Sequence, residues 1–399
     1  MKKFSLFIAL ISLAGLVALT PCAANAQDDA QAEFERAWYD TCFTKKPTDV
    51  EKCYQQSKEL VEKYSKSTYL GHAKGKIKAY EQNKAWEKFQ AALNAFYAPP
   101  QSVAKLETLF TAGDEYLALQ PGQQFVIGQL ARAGAFSAMG ELAYKNFDRV
   151  KGYAETALKT FEPAAAPEGW KKEEWQPLRE IIQAQMNQFL GWQLIIPAKG
   201  DENLALEYLA KAIQVKGKEG VGWKDPYNYY LRTQIYNAQY LEIRKPYDAM
   251  DDATKVTDAG KEAFKKVNEL LDTKLIPEYA RVLATATGPA GKALYDAVKA
   301  DFDVLWKFRT DAPDKALEYI KNYADDPTVA NVPVPAKPED ASNLNAPAAA
   351  PAGTATGAVK LQAGGPAVAP ASGSNGGSNG AKSTADKKGV VKGKKRGRG

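Results

Sequence analysis

From Phe34 to Tyr319, apolar positions in this 399-residue chain recur at three- and four-residue intervals, the spacing of a helix with one buried face. No run alternates apolar and polar residues between turn signals, as a half-buried strand would. The pattern is sharpest from Gly200 to Val215. There Gly200 and Asp201 supply a turn and an N-cap carboxylate, and Leu206, Leu209, Ala210 and Ile213 form one stripe, with small Ala205 and Ala212 between. The same spacing predicts helices over Gln31–Phe43, Val50–Tyr64, Lys74–Phe96, Val103–Leu119 and Phe125–Tyr144. A helix from Pro177 carries Leu178, Ile181, Ile182, Met186, Phe189 and Leu190 on one face. Another runs from Pro226 to Ile243 with Asp225 as cap and Pro226 in the first helical position. Lys255–Leu271 and Ala290–Phe308 complete the set, and Pro277, Gly288 and Pro289 interrupt everything between them.

A helix amphipathic on one side needs neighbours, and the chain repeats itself to supply them. Ala316-Leu317-Glu318-Tyr319 duplicates Ala205-Leu206-Glu207-Tyr208, and Tyr153 to Leu158 gives a looser copy. With Tyr54, Phe110 and Phe264 the aromatics of these segments are spaced 56, 43, 55, 56 and 55 residues apart. The Gly200–Val215 helix and its copies resemble the second helix of the tetratricopeptide repeat, and the Ile127-Gly128 and Leu190-Gly191 pairs resemble the close-contact pair of its first helix. The period near 55 residues is longer than that of the family, the Trp-x2-Leu-Gly start is incomplete and the terminal proline is often missing. The resemblance implies an all-α fold: a right-handed superhelix of about six antiparallel helical hairpins, each touching only its neighbours. It also implies a non-enzymatic scaffold that binds a protein or peptide on its concave face. If Leu231 is the buried leucine of its repeat, then Tyr229, Thr233, Tyr236 and Asn237 match groove positions, with Tyr240 next on the stripe. The alternative is that these tyrosines pack against the neighbouring hairpin.

The two ends differ from this body. Lys2 and Lys3, an apolar run from Phe4 to Leu19 and Ala24-Asn25-Ala26 have the form of a secretory leader, cut after Ala26. The mature protein is then expected in the periplasm or outside the cell. Residues 27–330 form the expected helical domain. Residues 331–381, rich in Ala, Pro, Gly, Ser and Asn, are expected to be a disordered linker. Residues 382–399 form a basic tail: Lys382, Lys387, Lys388, Lys392, Lys394, Lys395, Arg396 and Arg398 against one aspartate. Removing the two leader lysines and the net +7 of residues 331–399 from the overall +6 leaves the body at −3. The tail therefore suggests a second role, tethering a structural envelope protein to an anionic polymer.

Catalytic chemistry has few carriers here. His72 is the single histidine, so triads and metal sites that need two histidines are excluded. It stands at a predicted helix start, and a surface cap is its expected role. No Gly-rich phosphate loop precedes a helix. Asp251-Asp252 and Glu173-Glu174 read as solvated helix ends. No metal or cofactor is expected. Cys42 and Cys53 lie five and six positions from Pro47, where paired helices would set them opposite each other. An exported compartment favours their oxidation; two buried thiols are the alternative.

Overall fold

The structure is a computed structural model and describes residues 20–43, 49–195 and 200–337. It is all-helical, and no strand occurs among the described residues, only the isolated bridges Lys216–Gly222 and Thr310–Ala336. The first half consists of α1 (Thr20–Cys42), α2 (Val50–Lys63), α3 (Leu70–Tyr97), α4 (Val103–Leu119), α5 (Gln124–Met139), α6 (Phe147–Thr160) and α7 (Lys172–Ile195). After it come α8 (Glu202–Gln214), α9 (Pro226–Asp248), α10 (Asp252–Lys255), α11 (Asp258–Leu270), α12 (Ile276–Thr285), α13 (Gly288–Arg309) and α14 (Ala316–Lys321). From α1 to α9 each helix packs against the next, while α5, α7, α9 and α12 also touch in succession.

Local chemistry places most boundaries. Asp49, Ser102, Asn146, Asp201 and Asp225 each accept a backbone N–H in the first turn of the following helix. Several ends lie elsewhere than periodicity predicts. The first helix already includes Thr20, the first described residue, well before Gln31, and α5 stops at Gly140, before Tyr144. Both α7 and α9 run through a proline, Pro177 and Pro246, each forfeiting one intrahelical bond. The helix expected over Lys255–Leu271 is divided, because Thr257 caps a new start and its Oγ1 accepts from Gly260 N–H. The unassigned stretch 272–289 is helical except at Ala286 and Thr287: a π turn at Leu271–Leu275 leads into α12, with Pro277 in its first turn.

One apolar core runs from Phe89 on α3 to Tyr323 beyond α14. Trp38, Cys42, Cys53, Leu60 and Ala73 make a separate small core at the N-terminal end. There the sulfurs of Cys42 and Cys53 are bonded, and the Trp38 indole N–H donates to Ser57 at 2.9 Å. On α8 the fully buried positions are Ala205, Leu209 and Ala212, with Leu206 and Ala210 only half-buried. The contact face is thus turned toward the alanines, and Gly191 explains why. A Cβ on Gly191 would stand 2.9 Å from Leu209 and 3.3 Å from the Ala205 carbonyl. α7 and α8 approach closely through their small residues, leaving the bulkier leucine on the flank.

The six repeat aromatics fall on α2, α4, α6, α8, α11 and α14, in that order. Of the leader, residues 1–19 lie outside the described residues, as do Pro47 and the tail from Pro338 onward, including all eight basic tail residues.

Candidate functional site

The α9 residues singled out from the sequence lie inside the molecule. Tyr229, Thr233, Tyr236, Asn237 and Tyr240 are all buried, none more than 7% exposed. The Tyr229 hydroxyl donates to the Trp223 carbonyl at 2.6 Å, and the Thr233 hydroxyl to the Tyr230 carbonyl at 2.7 Å. Arg232 and Arg244 reach the hydroxyls of Tyr236 and Tyr240. With α12 packed against α9, the stripe holds helices together and presents little surface to a ligand. Burial also raises the Tyr229 and Tyr240 hydroxyls above their ordinary range. His72 is exposed, its ring edge-on to Phe43 at 5.5 Å. Asp251 caps α10, while Asp252, Glu173 and Glu174 are exposed in first turns.

A cleft of about 530 Å³ opens instead one hairpin earlier. Its floor is the polar side of α7, where Gln176, Glu180, Gln183 and Asn187 follow one another at helical spacing, with Arg179 beside them. Leu158 of α6 forms one wall. Lys211 and Gln214 of α8, continuing into Val215 and Lys216, form the other. The floor exists because the opposite side of α7 is spent on the core, where Ile182, Met186, Phe189 and Leu190 are buried.

The floor side chains are held before any ligand arrives. Gln176 donates to Glu180 at 2.8 Å, Gln183 to the Phe161 carbonyl at 3.1 Å, and Asn187 to the Gln183 carbonyl at 2.7 Å. Arg179 is anchored by two donations to the Glu162 carbonyl. Lys211 lies over the Tyr208 ring at 5.4 Å, and Lys216 pairs with Asp326 at 3.2 Å. Three cations and one carboxylate therefore line the cleft, a basic spot on a body whose net charge is −3. Amides of this kind accept and donate hydrogen bonds, and the cations donate them and attract negative charge. The lining contains no serine, cysteine or histidine that could act as a nucleophile or a base at neutral pH.

The cleft has a sequence signal, since Gln176, Glu180, Gln183 and Asn187 are the polar complement of the apolar face predicted from Pro177. What periodicity does not show is that α6 and α8 stand far enough apart to leave that complement open. Set against known proteins, the chain matches no family model, no curated protein and no solved structure.

Proposed function

We propose that this is an exported, non-enzymatic scaffold whose helices form a right-handed superhelix of tetratricopeptide-like hairpins and bind an acidic stretch of a protein partner. The carrying observation is the cleft between α6 and α8: open, polar, lined by four amide side chains and three cations. Amides on a helical floor can pair with the main chain of an extended peptide, and the cations select for carboxylates on it. The relay of contacts through α5, α7, α9 and α12 supports the superhelix, since in such a fold equivalent helices stack. Placing the partner at the cleft moves it away from the tyrosine stripe of α9.

The test is site-specific photo-crosslinking in the full chain, expressed with its own leader. A crosslinker at Gln183 or Gln214 should capture a defined protein that is not captured from Lys265, an exposed position on α11. Arg179→Glu together with Lys211→Glu should abolish that capture. Equal capture from Lys265, or capture indifferent to the charge reversal, would remove the cleft from the proposal. The basic tail supports a second reading, in which the body is a rod held on an anionic envelope polymer; that interaction would leave crosslinking at the cleft unchanged when the polymer is removed.

A further inference from the structure

The segment after α14 is bound to the helical body as a ligand would be. From Pro327 to Lys337 it has no helix, yet its main chain is met by side chains of the body. Arg281 of α12 donates through Nε to the Pro327 carbonyl at 2.7 Å and through Nη2 to the Val329 carbonyl and Asn331 Oδ1, both at 2.8 Å. Its guanidinium is itself fixed by Glu278 at 3.1 Å and lies 4.6 Å from the centre of the Tyr323 ring. Val332 is gripped at both main-chain groups: its N–H donates to the Tyr323 hydroxyl, and its carbonyl accepts from Tyr319, each at 2.9 Å. Further on, Lys337 N–H donates to the Arg309 carbonyl at 2.8 Å.

The segment's side chains alternate. Val332 and Val334 are half-buried against the core, whereas Pro333 and Pro335 face outward. Proline has no N–H to satisfy and favours extended backbone, so this sequence suits a slot that reads carbonyls and the N–H groups of Val332 and Lys337. The body supplies the rigid partners, and the segment supplies backbone, the Asn331 amide and two aliphatic side chains. A segment that beyond Pro327 is only half-buried or exposed, and has no helix or strand of its own, is the kind that opens locally at low cost.

We propose that the slot formed by Arg281, Tyr319 and Tyr323 is a second peptide-binding site, distinct from the cleft. It takes extended peptides with aliphatic residues at alternate positions and prolines between, and the chain's own residues 327–337 occupy it in cis until displaced. Asp326, immediately before the segment, pairs with Lys216 on the wall of the cleft, so a release that reaches Asp326 also frees a cleft cation. The site does not depend on the cleft having a partner.

The experiment uses the full chain and a fluorescein-labelled synthetic peptide of residues 325–337, followed by anisotropy. Val332→Asp with Val334→Asp disfavours the resident segment and leaves the slot intact. This released chain should bind the peptide, and the wild-type chain should bind it about tenfold more weakly or less, because the cis segment competes. Adding Tyr319→Phe and Tyr323→Phe to the released chain should weaken binding by about tenfold or more, as expected for two lost hydrogen bonds. No binding by a released chain of unchanged helicity would overturn the proposal. So would loss of its helical circular dichroism, since the segment would then be part of the core. Concentration-dependent dimers of the wild-type chain would name a second copy as the occupant and overturn the partner peptide.

Discussion

Among single residues, the alanines of α8 and the aspartate that caps α9 carry the clearest consequences. Ala212 is fully buried, and Glu207 is exposed. Ala212→Asp puts an unpaired carboxylate where nothing can solvate it and should cost on the order of 3 kcal/mol or more, against a change within about 0.5 kcal/mol for Glu207→Ala. Comparable melting temperatures for the two variants would show the α8 face to be set wrongly. Asp225 has a different liability. Burial raises its carboxyl above the usual aspartate range, against the opposing pull of the Tyr227 N–H and Gln188. The folded state then holds the proton more tightly than the unfolded chain. This contribution to stability is full at acid pH and is lost as pH rises through the raised value. Asp225→Asn retains a capping oxygen and removes the titration, so its melting temperature should gain on wild type as pH rises from the ordinary aspartate range toward neutrality. A difference that stays constant over that range would refute the assignment.

The elements differ in how they are held. From α3 onward every helix except the four-residue α10 contributes to one continuous core, so loss of one contact is buffered by its neighbours. The first hairpin has only the small core around Trp38 and Leu60, and the Cys42–Cys53 bond crosses it. Closing so short a loop restricts the unfolded chain and should stabilise this hairpin by about 3 kcal/mol. Reductant should therefore lower the temperature at which Trp38 fluorescence changes, while the far-ultraviolet signal of the remaining helices moves little. Two thiols alkylated in protein purified and denatured without reductant would refute the bond. Where sequence and structure part company at this scale, breakers are responsible. Pro177 and Pro246 are tolerated because tertiary packing outweighs one lost hydrogen bond. The run through Leu271–Leu275 stays helical by widening to a π turn, which no periodicity of 3.6 reveals.

At the scale of the whole molecule, charge divides the chain into an acidic body and a basic tail. Attraction of the tail to polyanions should be electrostatic and weakly selective. With seven net contacts on a nucleic-acid-like polymer, affinity should fall by up to roughly 10³–10⁴ between about 50 and 200 mM salt. Binding of the full chain and of a chain ending at Lys337 to anionic glycan, vesicles and DNA would measure it. Equal binding by the two, or indifference to salt, would dismiss the tail as an anchor. The boundary between body and tail also shifts. Composition places it at Asn331, yet residues 331–337 lie along the body, with Val332 and Val334 against the core.

Helical class, the caps at Asp201 and Asp225 and the close approach at Gly191 were legible in the residues, because each depends on neighbours within a turn or on one small side chain. The Cys42–Cys53 pair was legible for a similar reason, since the two lie only 11 residues apart. The cleft was half legible: the polar stripe of α7 stands in the sequence, but its opening depends on the separation of α6 and α8. Burial of the α9 tyrosines was decided by α12, a helix that Pro277 conceals. Docking of residues 327–337 was decided by Arg281, 46 positions before the first carbonyl it binds. Local sequence determined the helical class, the starts marked by capping side chains and the broad division into apolar and polar faces. Tertiary structure alone decided which polar faces remain open and which are closed by a distant part of the chain, because those contacts join residues no local pattern relates.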